Sequence, residues 1–168
     1  MSSDVTQRDE LDRPHLWNPN AAANWSLLFT PAFGAYLHAS NWRTLGKPER
    51  VSASMRWFWI TVVYLTIFVP STLFLPASRA IDTVVRWVGM GLLFGWYFTQ
   101  GKKQSGYIRD SLDNTYIRKG WVRPVLIGIA LMVAYYAAIG AVSYAVHAPP
   151  ASERAAACAG REMRRSIA

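Results

Sequence analysis

Two sets of residues in this chain have types and spacings that could do chemistry. The first is Asp82 with Arg86, opposed charges in an otherwise apolar stretch. At i and i+4 they share one helix face and are placed to pair. Ionisable side chains inside membrane-length segments mark ion, proton or partner contacts. Near the end of a span the same residues serve as anchors. Arg86 would then snorkel to headgroups, with Arg79 three residues from Asp82. The second set is His15, His38 and His147, which are far apart and have no acidic residue at ligand spacing. A metal site needs three or four convergent ligands. The sequence contains no glycine-rich phosphate loop, nucleophile elbow or paired catalytic carboxylates. The single cysteine, Cys158, forms no internal disulfide and reads as a free thiol in a tail. The expectation is a protein that is not an enzyme and holds no metal or cofactor. If it did act on lipid, His38 would be its candidate group.

Small residues offer a different kind of site. Gly91 and Gly95 form a GxxxG step, with Gly89 nearby. Small side chains let helix backbones approach closely, and in lipid this packing replaces the missing hydrophobic drive. Ala130, Ala134 and Ala138 repeat the pattern, as do Ala137, Ala141 and Ala145. Ser26, Thr30, Gly34 and His38 recur every four residues, so they line one helix face. Two readings fit these faces: packing inside one bundle, or a surface for another membrane protein or a second copy.

The elements that must position these residues follow from where charges are absent. Of 168 residues, 52% are hydrophobic and 17% charged, and 14% are aromatic, including eight Trp. That content excludes disorder over most of the length. No charge falls between Arg56 and Arg79, or between Arg123 and Glu153, and the stretch from Arg86 to Lys102 is also uncharged. A bilayer core of ~30 Å takes about 20 helical residues. The expected fold is therefore all-α: an integral membrane protein with transmembrane helices at 58–75, 81–99 and 124–146, joined on one side by a basic loop, 100–123, in which Ile108, Leu112 and Tyr116 suggest a solvated helix resting on the inner surface. Pro70 is expected to kink the first span. A polar tail, 1–17, precedes a segment at 18–56, and a polar basic tail, 147–168, follows the spans. Trp42, Trp57, Trp59, Trp87, Trp96 and Trp121 fall near span ends and read as an aromatic belt.

Basic residues set the orientation. Arg43, Lys47, Arg50 and Arg56 precede the first span, and Lys102, Lys103, Arg109, Arg118, Lys119 and Arg123 lie in the loop. Only Arg79 stands in the opposite turn, with Arg154, Arg161, Arg164 and Arg165 in the tail. The positive-inside rule places the N-terminus in the cytoplasm and the C-terminus in the periplasm. The net charge of +8 is thereby assigned to anionic headgroups beside the spans rather than to nucleic acid.

The segment at 18–46 is apolar but too polar to span. Trp25, Leu28, Phe29, Ala32, Phe33, Tyr36 and Leu37 form a wide apolar helical face. Asn24 is placed to cap its start and Gly46 to end it. It is expected to be an amphipathic helix in the interface, with a re-entrant hairpin broken near Thr30-Pro31 as the alternative. Its motifs carry a resemblance. Asn18-Pro19, Ala21-Ala22-Ala23-Asn24-Trp25-Ser26, Thr30-Pro31-Ala32-Phe33-Gly34-Ala35, Asn41-Trp42 and Leu45-Gly46 resemble the opening of a family of small uncharacterised proteobacterial inner-membrane proteins. Tyr107, Tyr116 and Arg118-Lys119-Gly120-Trp121 before Pro124 resemble the approach to the last span there. The resemblance covers most of 18–127. It implies the bacterial inner membrane and a shared topology, and it assigns no active residue.

The expected function is that of a small inner-membrane accessory protein acting through helix contacts with another membrane protein, such as toxin immunity or a secretion or envelope accessory. Gly91 and Gly95 lead the contact residues, followed by Ser26, Thr30, Gly34 and His38. The alternative is a homo-oligomeric channel or small transporter, in which Asp82 faces water.

Overall fold

The structure is a computed structural model and describes residues 13–148. The described residues are all-α, with five helices and one two-residue strand pair. Strand β1 (His15–Leu16) leads into helices α1 (Pro19–Leu28), α2 (Pro31–Thr44) and α3 (Pro48–Phe74). Helix α4 runs through 79–112, strand β2 is Ile117–Arg118, and helix α5 is Val122–His147. The chain falls into two compact units, Met1–Val133 and Ala134–Ala168, divided inside α5. In the second unit the described residues are the last turns of α5, where His147 Nδ1 lies 3.0 Å from the Ser143 carbonyl. Cys158 and the remainder of the expected C-terminal tail lie outside the described residues, as does the chain before residue 13.

Helix ends follow from local chemistry. Asn18 caps α1, its side chain accepting from the Asn20 and Ala21 amides, and Pro19 fills the first position. Asn24, the expected cap, therefore lies within α1. Gly46 ends α2 at φ 65°. The Lys47 amide reaches the Trp42 carbonyl and the Gly46 amide the Arg43 carbonyl, the two bonds of a Schellman stop. The turn then reverses α2 into α3. Asp113 and Asn114 end α4 in the left-handed region that their short polar side chains tolerate.

The segment at 18–46 is not one helix but two, α1 and α2, broken at Phe29 and Thr30, where the alternative reading placed a break. Proline explains the break. Pro31 cannot donate within α1, and it disfavours the helical region for Thr30. Thr30 stands outside the helical region, at φ 152° and ψ 163°.

Two helices, α3 and α5, are long and apolar enough to cross a membrane, where three were expected. At ~1.5 Å per residue each is about 40 Å long. The expected second span differs because α4 holds Asp82 and Arg86 in its first two turns. In the expected loop at 100–123 the helix is a continuation of α4, which reaches Leu112 through a π-helical turn at Tyr97–Gly101. A second π-helical turn, Tyr64–Phe68, precedes Pro70 in α3.

Helices α3 and α4 run antiparallel and in contact. A Cβ at Gly95 would stand 2.9 Å from the Trp57 ring, and one at Gly89 would stand 3.3 Å from the Tyr64 hydroxyl. That hydroxyl donates to the Val85 carbonyl at 2.6 Å. The buried core lies toward the hairpin end, around Ala23, Ala35 and Trp96, with Trp57, Phe58 and Leu93 against it. Most other large apolar side chains of α3, α4 and α5 point outward.

Candidate functional site: a polar junction beneath the hairpin

Trp96 is the centre of the arrangement. It is wholly buried, packed between Ala23 of α1 and Ala35 of α2, with the His38 ring edge-on at 5.3 Å. This removes Trp96 from the expected belt, and buried Trp42 with it. The physical reason is space. The hairpin offers Ala and Gly where a large ring must fit. A Cβ at Gly34 would overlap both Ser26 Oγ and the edge of the Trp96 ring, whose Cζ2 would lie 2.8 Å away.

Below Trp96 the packing turns polar. Gln104 of α4 donates from Nε2 to the His38 carbonyl at 2.9 Å. Its Oε1 accepts from Asn41 Nδ2 at 3.1 Å. Asn41 also donates to the Trp17 carbonyl and accepts from the Trp17 amide, at 2.8 and 3.0 Å. The side chains of Asn41 and Gln104 are fully buried, so these bonds replace water for groups that would otherwise be stranded. The Pro14 and Leu16 carbonyls accept from the Ile117 and Lys119 amides, and Lys119 Nζ stands 4.4 Å over the Trp17 ring. One junction thus ties together the N-terminal segment, both hairpin helices, α4 and the approach to α5.

The π-helical turn makes the junction possible. Trp96 and Gln104 are eight residues apart, which in a regular α-helix would place them about 80° apart around the axis. A π-helical turn takes up one extra residue. That returns Gln104 to within about 20° of Trp96, and Ile108, one turn on, stays on the same face. All three are buried.

His38 lies inside this junction. Its Nε2 faces the Pro19 carbonyl at 3.3 Å, so Nε2 carries the proton. Its Nδ1 is buried and has no hydrogen-bond partner. Burial lowers its pKa from 6.5 to about 4, against a smaller opposing effect of the Pro19 carbonyl. The ring is therefore neutral at pH 7. With one nitrogen engaged and the other sealed from solvent, it has no path to a substrate.

The residues singled out in the sequence separate into two groups. Ser26, Gly34 and His38 come together beneath the hairpin, and Thr30 is the break at its tip. The stripe thus contacts the chain's own Trp96. Ser26 Oγ donates to the Ala22 carbonyl at 2.8 Å. Gly95 meets Trp57, so it too is used internally, whereas Gly91 has nothing within 4 Å of a would-be Cβ. The expected Asp82–Arg86 pair is not formed. Both side chains are exposed one turn apart, and the ion pair among the described residues is Arg109 with Asp110 at 2.8 Å. An exposed i,i+4 pair gains too little to hold two long side chains in one geometry. Among the described residues no three His, Cys, Asp or Glu gather as metal ligands. A shallow groove at the α2–α3 turn is lined by Arg43, Lys47 and Ser52.

No family model, curated protein or solved structure matches the chain. Sequence reading had missed Asn41 and Gln104 as partners. The available signal was Gln104 with Ile108, a buried-type pair at i and i+4 within a basic segment. Trp96 was legible only as a large ring near a span end.

Proposed function

We propose that the protein is a three-span inner-membrane protein that acts by helix contact with another membrane protein, its N-terminus cytoplasmic and its C-terminus periplasmic. The antiparallel register of α3 and α4 supports a third span. Trp57 lies level with Gly95 and Tyr64 with Gly89, so α4 runs beside α3 through the same depth. Lipid headgroups on the cytoplasmic side then meet Arg43, Lys47, Lys102 and Lys103.

The observation that carries the contact reading is Gly91. It stands open in an exposed apolar face of α4, between Trp87 and Val88 on one side and Phe94 on the other. A notch between large side chains admits the backbone of a neighbouring helix. Toxin immunity and secretion or envelope assembly are concrete versions of this role. The test is photocrosslinking in native membranes from a probe at Gly91, with mass spectrometry of the adducts. A recurrent foreign membrane protein supports the reading. Adducts to the chain itself alone refute it in favour of a homo-oligomer.

The unpaired, exposed Asp82 and Arg86 favour a second reading, a homo-oligomeric channel or small transporter in which Asp82 faces water. Asp82→Asn and Arg86→Gln would then change ion flux through proteoliposomes. Unchanged flux removes that reading.

A further inference from the structure

The hairpin is graded along its length. At its open end the exposed side chains are polar, Asn20, Arg43 and Thr44, with exposed Asn24 midway along α1. At its closed end they are apolar: Leu27 is 69% exposed and Leu28 63%. An outward-facing apolar tip in water would be a liability, so its surroundings need a physical account.

Three contacts fix the depth of the tip against three charge boundaries. Phe29 rests on Gly128, where a Cβ would lie 3.2 Å from its ring, five residues into α5 beyond Arg123. Gly34 abuts Trp96, six residues before Lys102 in α4. The Tyr36 ring lies tilted against Phe58, centroids 6.1 Å apart, two residues beyond Arg56 in α3. From Tyr36 the hairpin continues five more residues to Pro31. At ~1.5 Å per residue these registers place the tip about 8 to 14 Å on the apolar side of the last charges. Helix α1 has ten residues, about 15 Å, which is half of a ~30 Å hydrocarbon core.

The break itself suits this depth. Irregular backbone within a bilayer must be covered by protein. Phe29 is nearly buried, as are Pro31 and Ala32. Pro31 has no amide proton to strand, the Phe29 amide returns to the Trp25 carbonyl, and the Phe33 amide returns to Thr30.

We infer that α1 and α2 form a re-entrant hairpin whose tip residues Leu27 and Leu28 lie among the acyl chains of the N-terminal-side leaflet and turn back at half depth. This rests on the reading of α3 and α5 as spans. The occupant of the tip surface is lipid, because that surface is continuous with the outward apolar band of the helices it leans on.

The experiment uses the full chain with Cys158→Ser, purified and reconstituted in phosphatidylethanolamine–phosphatidylglycerol vesicles. Single cysteines are placed by Leu28→Cys, Ile67→Cys in mid-α3 and Thr44→Cys at the base, with Leu27→Cys as a second tip variant. Each is labelled with bimane and challenged with lipids brominated on the acyl chains. Each is also timed against a membrane-impermeant maleimide. The expected result is at least twofold quenching at Leu28 and Ile67 but not at Thr44, and maleimide reaction at Leu28 at least tenfold slower than at Thr44. Quenching at Ile67 with none at Leu28, and Leu28 reacting at the Thr44 rate, overturns the inference while leaving the spans standing. Absence of quenching at Ile67 overturns the spanning reading and this inference together. Protection of Leu28 in native membranes but not in purified vesicles overturns it in favour of a covering protein.

Discussion

Replacing Gly34 by alanine tests the centre of the structure with one methyl group. The Cβ of Gly34→Ala would overlap Ser26 Oγ on α1 and come within 2.8 Å of Trp96 Cζ2 on α4. Carbon atoms in contact prefer about 3.5–4.0 Å, so the ring must retreat by about 1 Å. It cannot rotate freely, because Ala23, Ala35 and the His38 ring enclose it. Overpacking of this kind costs about 1–3 kcal/mol. For a chain of this size each kcal/mol lowers Tm by about 2–4 °C. Gly34→Ala is therefore expected to melt several degrees lower in detergent micelles, read by tryptophan fluorescence. Gly91→Ala is the control. It meets nothing within 4 Å and gains helix propensity, so its Tm stays level or rises. Adding Ser26→Ala to Gly34→Ala removes one of the two overlaps, and the pair should be less destabilised than the sum of the singles by about 1 kcal/mol. The reasoning fails if Gly34→Ala melts with the wild type, or if Gly91→Ala is the more damaging change.

Three other outcomes follow from the junction. His38 has a folded pKa of about 4, below its ordinary 6.5. The folded state thus binds the proton less tightly than the unfolded one, and stability is full above pH 6.5 and falls as pH drops toward 4. By linkage the loss is about 2 kcal/mol at pH 5, and a thermal series from pH 7.5 to 5 should show a slope that His38→Asn flattens. Asn41→Ala strands the Trp17 amide and carbonyl and one oxygen of Gln104. At about 1–3 kcal/mol per stranded group, it should release the N-terminal segment, seen as faster proteolytic clipping before Pro19 with the helical core intact. Deleting Thr99 removes the extra residue of the π-helical turn, and the regular α-helix that results keeps the Gln104 side chain within about 20° of Trp96. A disulfide introduced between Asn41 and Gln104, as numbered in the parent chain, should form in the deletion as it does in the parent, and its failure in the deletion would refute this account of the turn.

Much of the helical layout was legible because charge gaps and proline positions are local signals. The stretches around 58–75 and 124–146 read as apolar helices because nothing charged interrupts them. Asp82 and Arg86 blurred the third, and the helix suggested by Ile108, Leu112 and Tyr116 was not legible as its continuation, because Lys102 and Lys103 look like loop. The stripe of Ser26, Gly34 and His38 was visible as a face, but its partner was not. A face seeking a backbone looks the same whether the other helix belongs to the same chain or to another. The π-helical turn had no sequence signature at all, since its cause is the tertiary demand that Trp96 and Gln104 share a side. The pairing of Asn41 with Gln104 was not legible, because burial of an amide depends on partners that here lie 63 residues apart.

The hairpin that turns back at half depth has a mechanical consequence. A helix about 10 Å across takes up on the order of 80 Å² in the membrane plane, so α1 and α2 add about 160 Å² to one leaflet and nothing to the other. Beside α3 and α4 this makes a wedge, and a wedge relieves strain wherever its own leaflet is stretched. The protein should then partition toward highly bent membranes, favouring small vesicles over large ones when its N-terminal side faces outward. Shortening the tip by deleting Leu27 through Thr30 should abolish that sorting while leaving insertion unchanged, and equal sorting of the two forms would refute the wedge.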